Sequence, residues 1–242
     1  KKVLRNSPLK KSPKAGLFFI FITLFLDILG IGVIVPILPE LVTQMVHHDL
    51  SSASHYFGLI VASYSFMQFV FSPFLGALSD RFGRRPILLF ALLGSGIDYL
   101  ILASASQLWL LFVARMISGL TGATVSVGFA YITDISDPSK RSANFGLIGA
   151  AFGLGFTLGP ALGGLLGTFN LRLNFYVAAA LTFLNFLYGY FILPESHPLE
   201  SRSAFSWKNL NPFHSFQILF KTPVLLGLAS LIFFASLAQN SL

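Results

Sequence analysis

The sequence has no cysteine and few charged residues, and both shortages limit the kind of protein that it encodes. Without cysteine there is no disulfide bond and no thiolate metal site. Charged residues make up 10% of the chain, whereas soluble domains carry about a quarter. So little charge does not cover a water-facing surface. Together with the 55% hydrophobic content, it predicts a chain whose main solvent is lipid.

The sequence also has no phosphate-binding loop, no nucleophile elbow and no HExxH zinc motif. These absences argue against an ATP-driven pump and against an enzyme, and no cofactor or protein-bound metal is expected. His47, His48 and His55 could bind a metal, but no intramembrane ligand accompanies them. The net charge of +7 comes from basic residues in short segments between apolar runs. That pattern is typical of membrane proteins and argues against nucleic acid as a partner.

Seven apolar runs are long enough to cross a hydrocarbon core of about 30 Å as helices. They cover residues 16–37, 56–78, 86–105, 108–131, 146–167, 173–193 and 223–242. The connections near 79–85 and 104–108 are short, so neighbouring spans must run antiparallel. The prediction is an all-α polytopic membrane protein, with a six-helix bundle over residues 16–193 and the start of a seventh span over 223–242. Because the seventh span is unfinished at Leu242, we expect the chain to be part of a longer protein.

The lysines and arginines predict the orientation of the chain in the membrane. Fourteen of the 16 lie ahead of the first span or after the second, fourth and sixth. Arg172 alone lies in an opposite loop, and Arg115 lies inside the fourth span. Since cytoplasmic loops carry the excess of basic residues, the amino terminus is predicted to be cytoplasmic, in a bacterial inner or plasma membrane. Residues 1–15 then form a basic cytoplasmic tail, and 194–222 form a cytoplasmic loop between two halves.

Three ionisable residues lie inside the predicted spans. Asp27 and Asp98 lie about 11 and 12 residues into spans that rise from the cytoplasm, and Arg115 lies about 7 residues in from the opposite face. At about 1.5 Å per residue, all three fall near the same middle depth. A lone charge there costs about 2.5–3.5 kcal/mol. We therefore expect the three side chains to face inward together.

Two interpretations of this group remain open. A structural ion pair explains Arg115 and one acid, but it leaves the second acid without a partner. Alternatively, an acid without a permanent partner takes up and releases protons, since burial and a guanidinium act in opposite directions on its protonation. Asp27 or Asp98 would then carry the proton. Gln68, near the middle of the second span, either bonds a neighbouring helix or lines a cavity at this depth.

The fifth span is rich in glycine and contains a proline. Small residues four positions apart allow two helix backbones to approach closely. The proline removes a backbone hydrogen bond and predicts a kink. A close, bent seam between two helices is expected at Gly155, Gly159, Pro160, Gly163 and Gly164.

Three motifs of this sequence resemble motifs of a known family, and each lies in the corresponding helix or loop. The segment GALSDRFGRR (76–85) resembles the loop between helices two and three of the major facilitator superfamily. RMISGLTGA (115–123) resembles its helix-four motif, and GFTLGPALGG (155–164) resembles the helix-five motif of its proton-coupled antiporters. LDILGIGVIVPILP, YSFMQFVFSPFLG and GATVSVGFAYITDIS narrow the likeness to the tetracycline/proton antiporters and their close relatives. The resemblance extends over essentially the whole chain from about Gly16 onward.

This resemblance implies both a fold and a function. Such transporters have twelve helices in two halves, each a nested repeat of three helices plus three inverted, and this chain is expected to be the amino-terminal half. The carboxy-terminal half is then a missing partner. The implied activity is export of a tetracycline-like drug, carried as a divalent-metal chelate and driven by the proton gradient. Proton coupling is expected of Asp27, Asp98 and Arg115, and substrate binding of these three with Gln68.

By the same resemblance, the loop after the second span is a cytoplasmic gate. The acid of this loop, Asp80, would pair with neighbouring arginines. It would also face a helix amino terminus in the other half, where a negative charge is favourable. Its glycines would leave room for helix contact at position 76 and permit a tight turn at position 83. A second latch after helix four is expected between Asp134 and Arg141. The gate residues are Gly76, Asp80, Arg81, Gly83, Arg84, Arg85, Asp134 and Arg141.

Three alternatives to these interpretations remain. The basic loop is also typical of a plain positive-inside anchor, which needs Arg84 and Arg85 but has no use for Asp80. A transporter of the same fold with another drug, a sugar or a metabolite as cargo fits the same spans. A half-size membrane protein that interacts with partners and transports nothing is the third.

Overall fold

The computed structural model describes residues 13–197, 202, 220–221 and 223–240. Most of the predicted basic tail, most of the predicted 194–222 loop and the last two residues of the predicted seventh span lie outside this part. The chain divides into two compact units, Lys1–Ala204 and Phe205–Leu242. The described part of the second unit contains the helix Pro223–Asn240, so the start of the predicted seventh span is helical.

The described part of the first unit is built from α-helices. In chain order they are α1 Pro13–Ile34, α2 Ile37–Met45, α3 Leu50–Phe82, α4 Arg84–Ser104, α5 Leu108–Thr121, α6 Thr124–Ile135, α7 Arg141–Gly167 and α8 Leu171–Ile192. Pro223–Asn240 in the second unit is α9. The predicted all-α class is confirmed for the described residues, because no strand occurs among them.

Six segments of the described chain are long and apolar enough to cross a membrane, as predicted for the first unit. They are Gly16–Ile34, Leu50–Phe82, Arg84–Ser104, Leu108–Ile135, Arg141–Gly167 and Leu171–Ile192. The second span begins six residues earlier than predicted, because the Asp49 side chain accepts a hydrogen bond from the Ser51 amide and caps α3. The fifth begins five residues earlier, at Arg141. Helix α7 continues through Pro160.

The packing of the spans follows a three-plus-three repeat. The first span, α1, packs along the fifth, α7, and the second, α3, packs along the fourth, which begins with α5. The third and sixth spans, α4 and α8, pack against each other. When spans one, two and three are exchanged with spans four, five and six, the contact between one and five becomes that between four and two. The contact between three and six is unchanged. Since three crossings separate equivalent spans, the two triplets run in opposite directions, as an inverted repeat requires.

The seam between α1 and α7 is so close that side chains do not fit in it. A Cβ atom at Gly159 would lie 2.6 Å from the Gly32 Cα atom, and one at Gly163 would lie 2.5 Å from the Val33 carbonyl oxygen. A Cβ atom at Gly155 would lie 2.7 Å from the Ile28 side chain. A Cβ atom at Gly164, in contrast, would meet no atom of the described chain within 4 Å. Three of the four predicted seam glycines therefore face α1, at a spacing of four residues.

The fourth span is broken in the middle of the bundle. Helix α5 ends at Thr121, and α6 begins three residues later at Thr124. Between them the Gly122 backbone leaves the helical region, with φ −69° and ψ 57°. The side-chain amide of Gln68 on α3 donates to the Gly122 carbonyl at 3.4 Å. Part of the backbone hydrogen bonding lost at the break is thus restored by a side chain, as a membrane interior requires.

The buried residues form two apolar clusters with a polar layer between them. On α4, Leu88 belongs to one cluster and Leu102 to the other, with Asp98 between them. On the fourth span, Leu111 and Val127 belong to different clusters, and Arg115 and the helix break lie between. The polar layer is where the predicted site residues meet.

Candidate functional site

A cavity of about 220 Å³ occupies the polar layer of the first unit. Its wall is formed by α1, α2, α3, α4 and the broken fourth span. Three of the four predicted intramembrane site residues line it: Asp27, Gln68 and Arg115. Two tyrosines, Tyr64 and Tyr99, line it as well. The lining is mostly apolar but includes an acid, a base and several hydroxyl groups, so the cavity is suited to a ligand with an apolar body and a few polar or charged groups.

Asp98 lies behind this cavity and contacts two residues of its wall, Arg115 and Ser118. Its side chain is fully buried, and its Oδ2 atom accepts a hydrogen bond from the Arg115 guanidinium. The Asp98 Oδ1 atom and the Arg115 Nε atom are both buried and have no hydrogen-bond partner within the described part of the chain. A carboxylate and a guanidinium at full complementarity form two parallel hydrogen bonds. This pair forms one, so each partner keeps bonding capacity for something else.

Arg115 links the ion pair to the cavity wall. Its guanidinium carbon lies 5.9 Å from the centre of the Tyr64 ring, a cation–π distance. The Gln68 side-chain amide donates to the Tyr64 hydroxyl at 3.1 Å, and its other contact is the Gly122 carbonyl at the helix break. The guanidinium, the ring and the amide therefore connect Asp98 to the break in the fourth span.

Asp27 lies on the cavity wall without a cationic partner. Its side chain is buried, with 8% exposure, and no ion pair of Asp27 occurs among the described residues. The Thr124 hydroxyl, in the first residue of α6, is its hydrogen-bonding neighbour. The two intramembrane acids therefore differ, because Asp98 has a permanent cation and Asp27 does not.

A second group of charges lies at the end of the bundle that is predicted to face the cytoplasm. Arg84, at the start of α4, is its centre and is mostly buried. Its Nη1 atom lies 2.5 Å from Asp80 Oδ1 and donates to the Ser79 hydroxyl at 2.6 Å. Its Nε atom donates to Asp134 Oδ2 at 3.1 Å. One arginine thus joins the end of α3 to the end of α6.

One predicted pair of the gate differs from the contacts of the described structure. Asp134 does not pair with Arg141 in the described structure, because its carboxylate binds Arg84 and lies 3.6 Å from His197 Nδ1. Arg141 donates instead to the Thr133 carbonyl oxygen. A Cβ atom at Gly76 would meet no atom of the described chain within 4 Å, so the expected helix contact at this glycine stays a prediction.

The other two gate arginines contact aromatic rings. The Arg81 guanidinium lies 5.2 Å from the centre of the Phe82 ring. Arg85 donates to the Tyr190 carbonyl oxygen and lies over the Tyr190 ring at 5.9 Å. The first contact lies within α3, and the second joins the start of α4 to the end of α8.

Glu195 is a member of this charge cluster that the sequence interpretation missed. Gly83 has φ 106°, a conformation that L side chains rarely adopt, and so turns the chain sharply before α4 as predicted. The Glu195 carboxylate fits against this turn and accepts hydrogen bonds from the Arg84 and Arg85 amides at 2.8 and 3.3 Å. A carboxylate at a helix amino terminus is favourable. An acid directly after the sixth span, on a side rich in arginine, was the available signal.

Comparison with known proteins agrees with this geometry. The chain is 49% identical over 202 residues to the tetracycline resistance protein, class C, of Escherichia coli, a match that covers 84% of this chain and 50% of that protein. It is 32% identical over 184 residues to multidrug resistance protein 2 of Bacillus subtilis, with 76% and 45% covered. The chain spans about half the length of the curated relatives that it matches.

A solved structure and a family model agree with these relatives. The crystal structure of the human organic anion transporter MFSD10 (TETRAN) superimposes with a TM-score of 0.72 at 28% identity, covering 82% of this chain and 52% of that one. The family model described as Major Facilitator Superfamily matches residues 20–242. With six membrane-length helices in a three-plus-three packing and a match over nearly its whole length, the chain belongs to the Major Facilitator Superfamily.

Proposed function

We propose that this chain forms the amino-terminal half of a proton-coupled antiporter that exports a tetracycline-like drug. The observation that carries the proposal is the polar cavity, where Asp27 lacks a cation and Arg115 is held by Asp98 with bonding capacity to spare. The relatives named for tetracycline and multidrug resistance support a drug as cargo. A second six-helix half completes the cavity, since transporters of this fold bind cargo between halves.

Asp27 is the proton carrier in this proposal. A buried carboxylate without a cation is costly, so it is stable either as the neutral acid or beside a cationic ligand. A drug bound as its magnesium chelate supplies such a cation, and the ion then travels as part of the cargo. The proton and the cargo compete for one carboxylate, so the binding of one releases the other. That competition makes the transport an exchange.

Arg115 and Gln68 orient the cargo in this proposal. The single hydrogen bond between Arg115 and Asp98 leaves guanidinium donors free for cargo oxygens. Gln68 reaches both Tyr64 and the break at Gly122, so a ligand that contacts Gln68 also acts on the break. Asp98 acts as a positioning residue, since it holds Arg115 and does not line the cavity.

The Arg84 cluster is the cytoplasmic gate in this proposal. Asp80, Arg84 and Asp134 join α3, α4 and α6 at one end of the half, so they move as one body. Alternating access by rocking halves requires such rigid ends. The amino terminus then lies in the cytoplasm, as the distribution of basic residues predicts.

The test is drug-linked proton movement in inverted membrane vesicles that contain the complete transporter. The vesicles are acidified inside and then given tetracycline with Mg²⁺. We expect proton efflux that depends on the drug and disappears in Asp98→Asn, because Arg115 then becomes a buried cation without a partner. Asp137→Asn, an exposed acid outside both charge clusters, is the matched control and should behave as the wild type. Inserted wild-type protein without drug-linked efflux would refute the proposal.

A different drug is the second candidate cargo. The similarity to multidrug resistance protein 2 favours it. The same vesicles, given a panel of cationic drugs without added Mg²⁺, distinguish the two cargoes. Proton efflux with such a drug, but none with tetracycline, would assign the exchange to the second candidate.

A further inference from the structure

The hydroxyl group of Tyr99 is a polar group on the cavity wall that the proposed mechanism does not use. Tyr99 is 3% exposed, and its hydroxyl has no hydrogen-bond partner among the protein groups that the structure describes. Buried tyrosine hydroxyls normally have one. Tyr131 follows this rule by donating to the Pro194 carbonyl at 3.0 Å, and the Tyr64 hydroxyl accepts from Gln68. A phenylalanine at position 99 would fill the same space without the unpaired group.

The Tyr99 side chain reaches from α4 across to α1 along the cavity wall. It lines the cavity, and a Cβ atom at Gly30 would lie 3.1 Å from its hydroxyl oxygen. Gly30 is three residues after Asp27 on α1, so the two positions share one side of that helix. The charged groups that act on Tyr99 are Asp27, Asp98 and Arg115. The hydroxyl therefore stands where a ligand of Asp27 and Arg115 would lie.

The geometry points to Tyr99 as a specificity-determining residue: its hydroxyl donates a hydrogen bond to a carbonyl or enolate oxygen of the cargo. This inference rests on the proposed function. The Tyr99 hydroxyl lies on the cavity wall with no partner among the described protein groups, so an oxygen of the bound cargo can serve as its acceptor. A site built to bond a cargo oxygen discriminates strongly against cargo that lacks it. Gly30 leaves room for the phenol, because a Cβ atom there would lie 3.1 Å from the hydroxyl and would displace it by a few tenths of an ångström.

The test measures KM and maximal rate of drug-linked proton efflux, with tetracycline and Mg²⁺, for the complete transporter. Tyr99→Phe keeps the ring and removes the donor, so KM should rise about tenfold while the maximal rate stays unchanged. Gly30→Ala keeps the donor but displaces it by a few tenths of an ångström, so KM should rise by a smaller factor. In the Tyr99→Phe background, Gly30→Ala should add little, because the two changes act on one hydrogen bond.

Tyr176→Phe is the matched control, since Tyr176 is 50% exposed on α8 and does not line the cavity. Its KM should equal that of the wild type. An unchanged KM in Tyr99→Phe, with normal exchange by the wild type, overturns this inference and leaves the proposed function standing. A lower maximal rate at unchanged KM also overturns it, because that result indicates a role in packing. Wild-type vesicles without drug-linked efflux overturn the proposed function and this inference together.

Discussion

The seam between α1 and α7 predicts opposite effects for the same substitution at two adjacent glycines. Gly163→Ala would place a Cβ atom 2.5 Å from the Val33 carbonyl oxygen, whereas carbon–oxygen contacts normally lie at about 3.3 Å. The overlap of about 0.8 Å is with backbone, so a rotamer change does not relieve it. Gly164→Ala would place its Cβ atom where nothing lies within 4 Å. Both positions lie in the interior of α7, so the change in helix propensity is the same.

These contacts set the expected size of the two effects. Overpacking costs about 1–3 kcal/mol, and a backbone clash belongs at the upper end. Replacing glycine by alanine in a helix gains about 0.5–1 kcal/mol. Gly163→Ala should therefore lower the free energy of unfolding by about 2 kcal/mol, and Gly164→Ala should raise it by about 1 kcal/mol.

The assay is thermal unfolding of the purified protein in detergent. At about 2–4 °C per kcal/mol, we expect Tm to fall by about 4–8 °C in Gly163→Ala and to rise by about 2–4 °C in Gly164→Ala. Equal shifts for the two variants would refute the assignment of Gly163 to the seam. A raised Tm in Gly163→Ala would mean that α1 and α7 can move apart without loss of free energy of unfolding.

Two further predictions concern the ends of helices. Glu195→Gln should lower Tm by about 2–4 °C, because a neutral amide replaces the carboxylate that accepts from two amides at the start of α4. Asp137→Asn, at an exposed acid between α6 and α7, is the control and should leave Tm unchanged. The hydrogen bond from the Ser52 hydroxyl lowers the pKa of Asp49. The Asp49 carboxylate therefore stabilises the fold above its ordinary pKa of 3.8, and this contribution is lost as the pH falls below that value. The Tm difference between the wild type and Asp49→Ala should thus narrow from pH 7 to pH 3, and a constant difference would contradict the capping role.

Much of the site was predictable because its charges contrast with their surroundings. Asp27, Asp98 and Arg115 stand out in apolar spans, and the cost of burying each one alone predicts that they face inward together. The structure places two of them on one cavity and the third behind it. Which acid holds the arginine was not predictable, because it depends on helix rotation, which the apolar spans do not fix.

Other parts of the site leave little trace in the sequence. Tyr64 and Tyr99 are ordinary residues of membrane helices, so their position on the cavity follows only from the packing of α1, α3 and α4. Asp134 lies seven positions from Arg141 but binds Arg84, fifty positions away, because the folded bundle brings the ends of α4 and α6 together. Short sequence separation was therefore a poor guide to that pair.

The glycines show the same division between what periodicity predicts and what packing decides. A spacing of four residues selects Gly155, Gly159 and Gly163, and these three face α1. Gly164 breaks that spacing and faces away. The break at Gly122 was not predicted, since glycine is frequent in membrane helices and does not by itself mark a break.

The role of Asp27 in proton coupling is tested most directly by comparing two kinds of transport in one variant. Asp27→Asn in the complete transporter, reconstituted in vesicles, is assayed for proton-driven tetracycline uptake and for exchange of labelled against unlabelled tetracycline without a proton gradient. An amide cannot carry a proton, so proton-driven uptake should be lost. Exchange should persist but need more tetracycline, because Arg115 and Gln68 still bind the cargo while the neutral amide binds its cation less well than the carboxylate does. Proton-driven uptake at the wild-type level would contradict the role of Asp27 as the proton carrier.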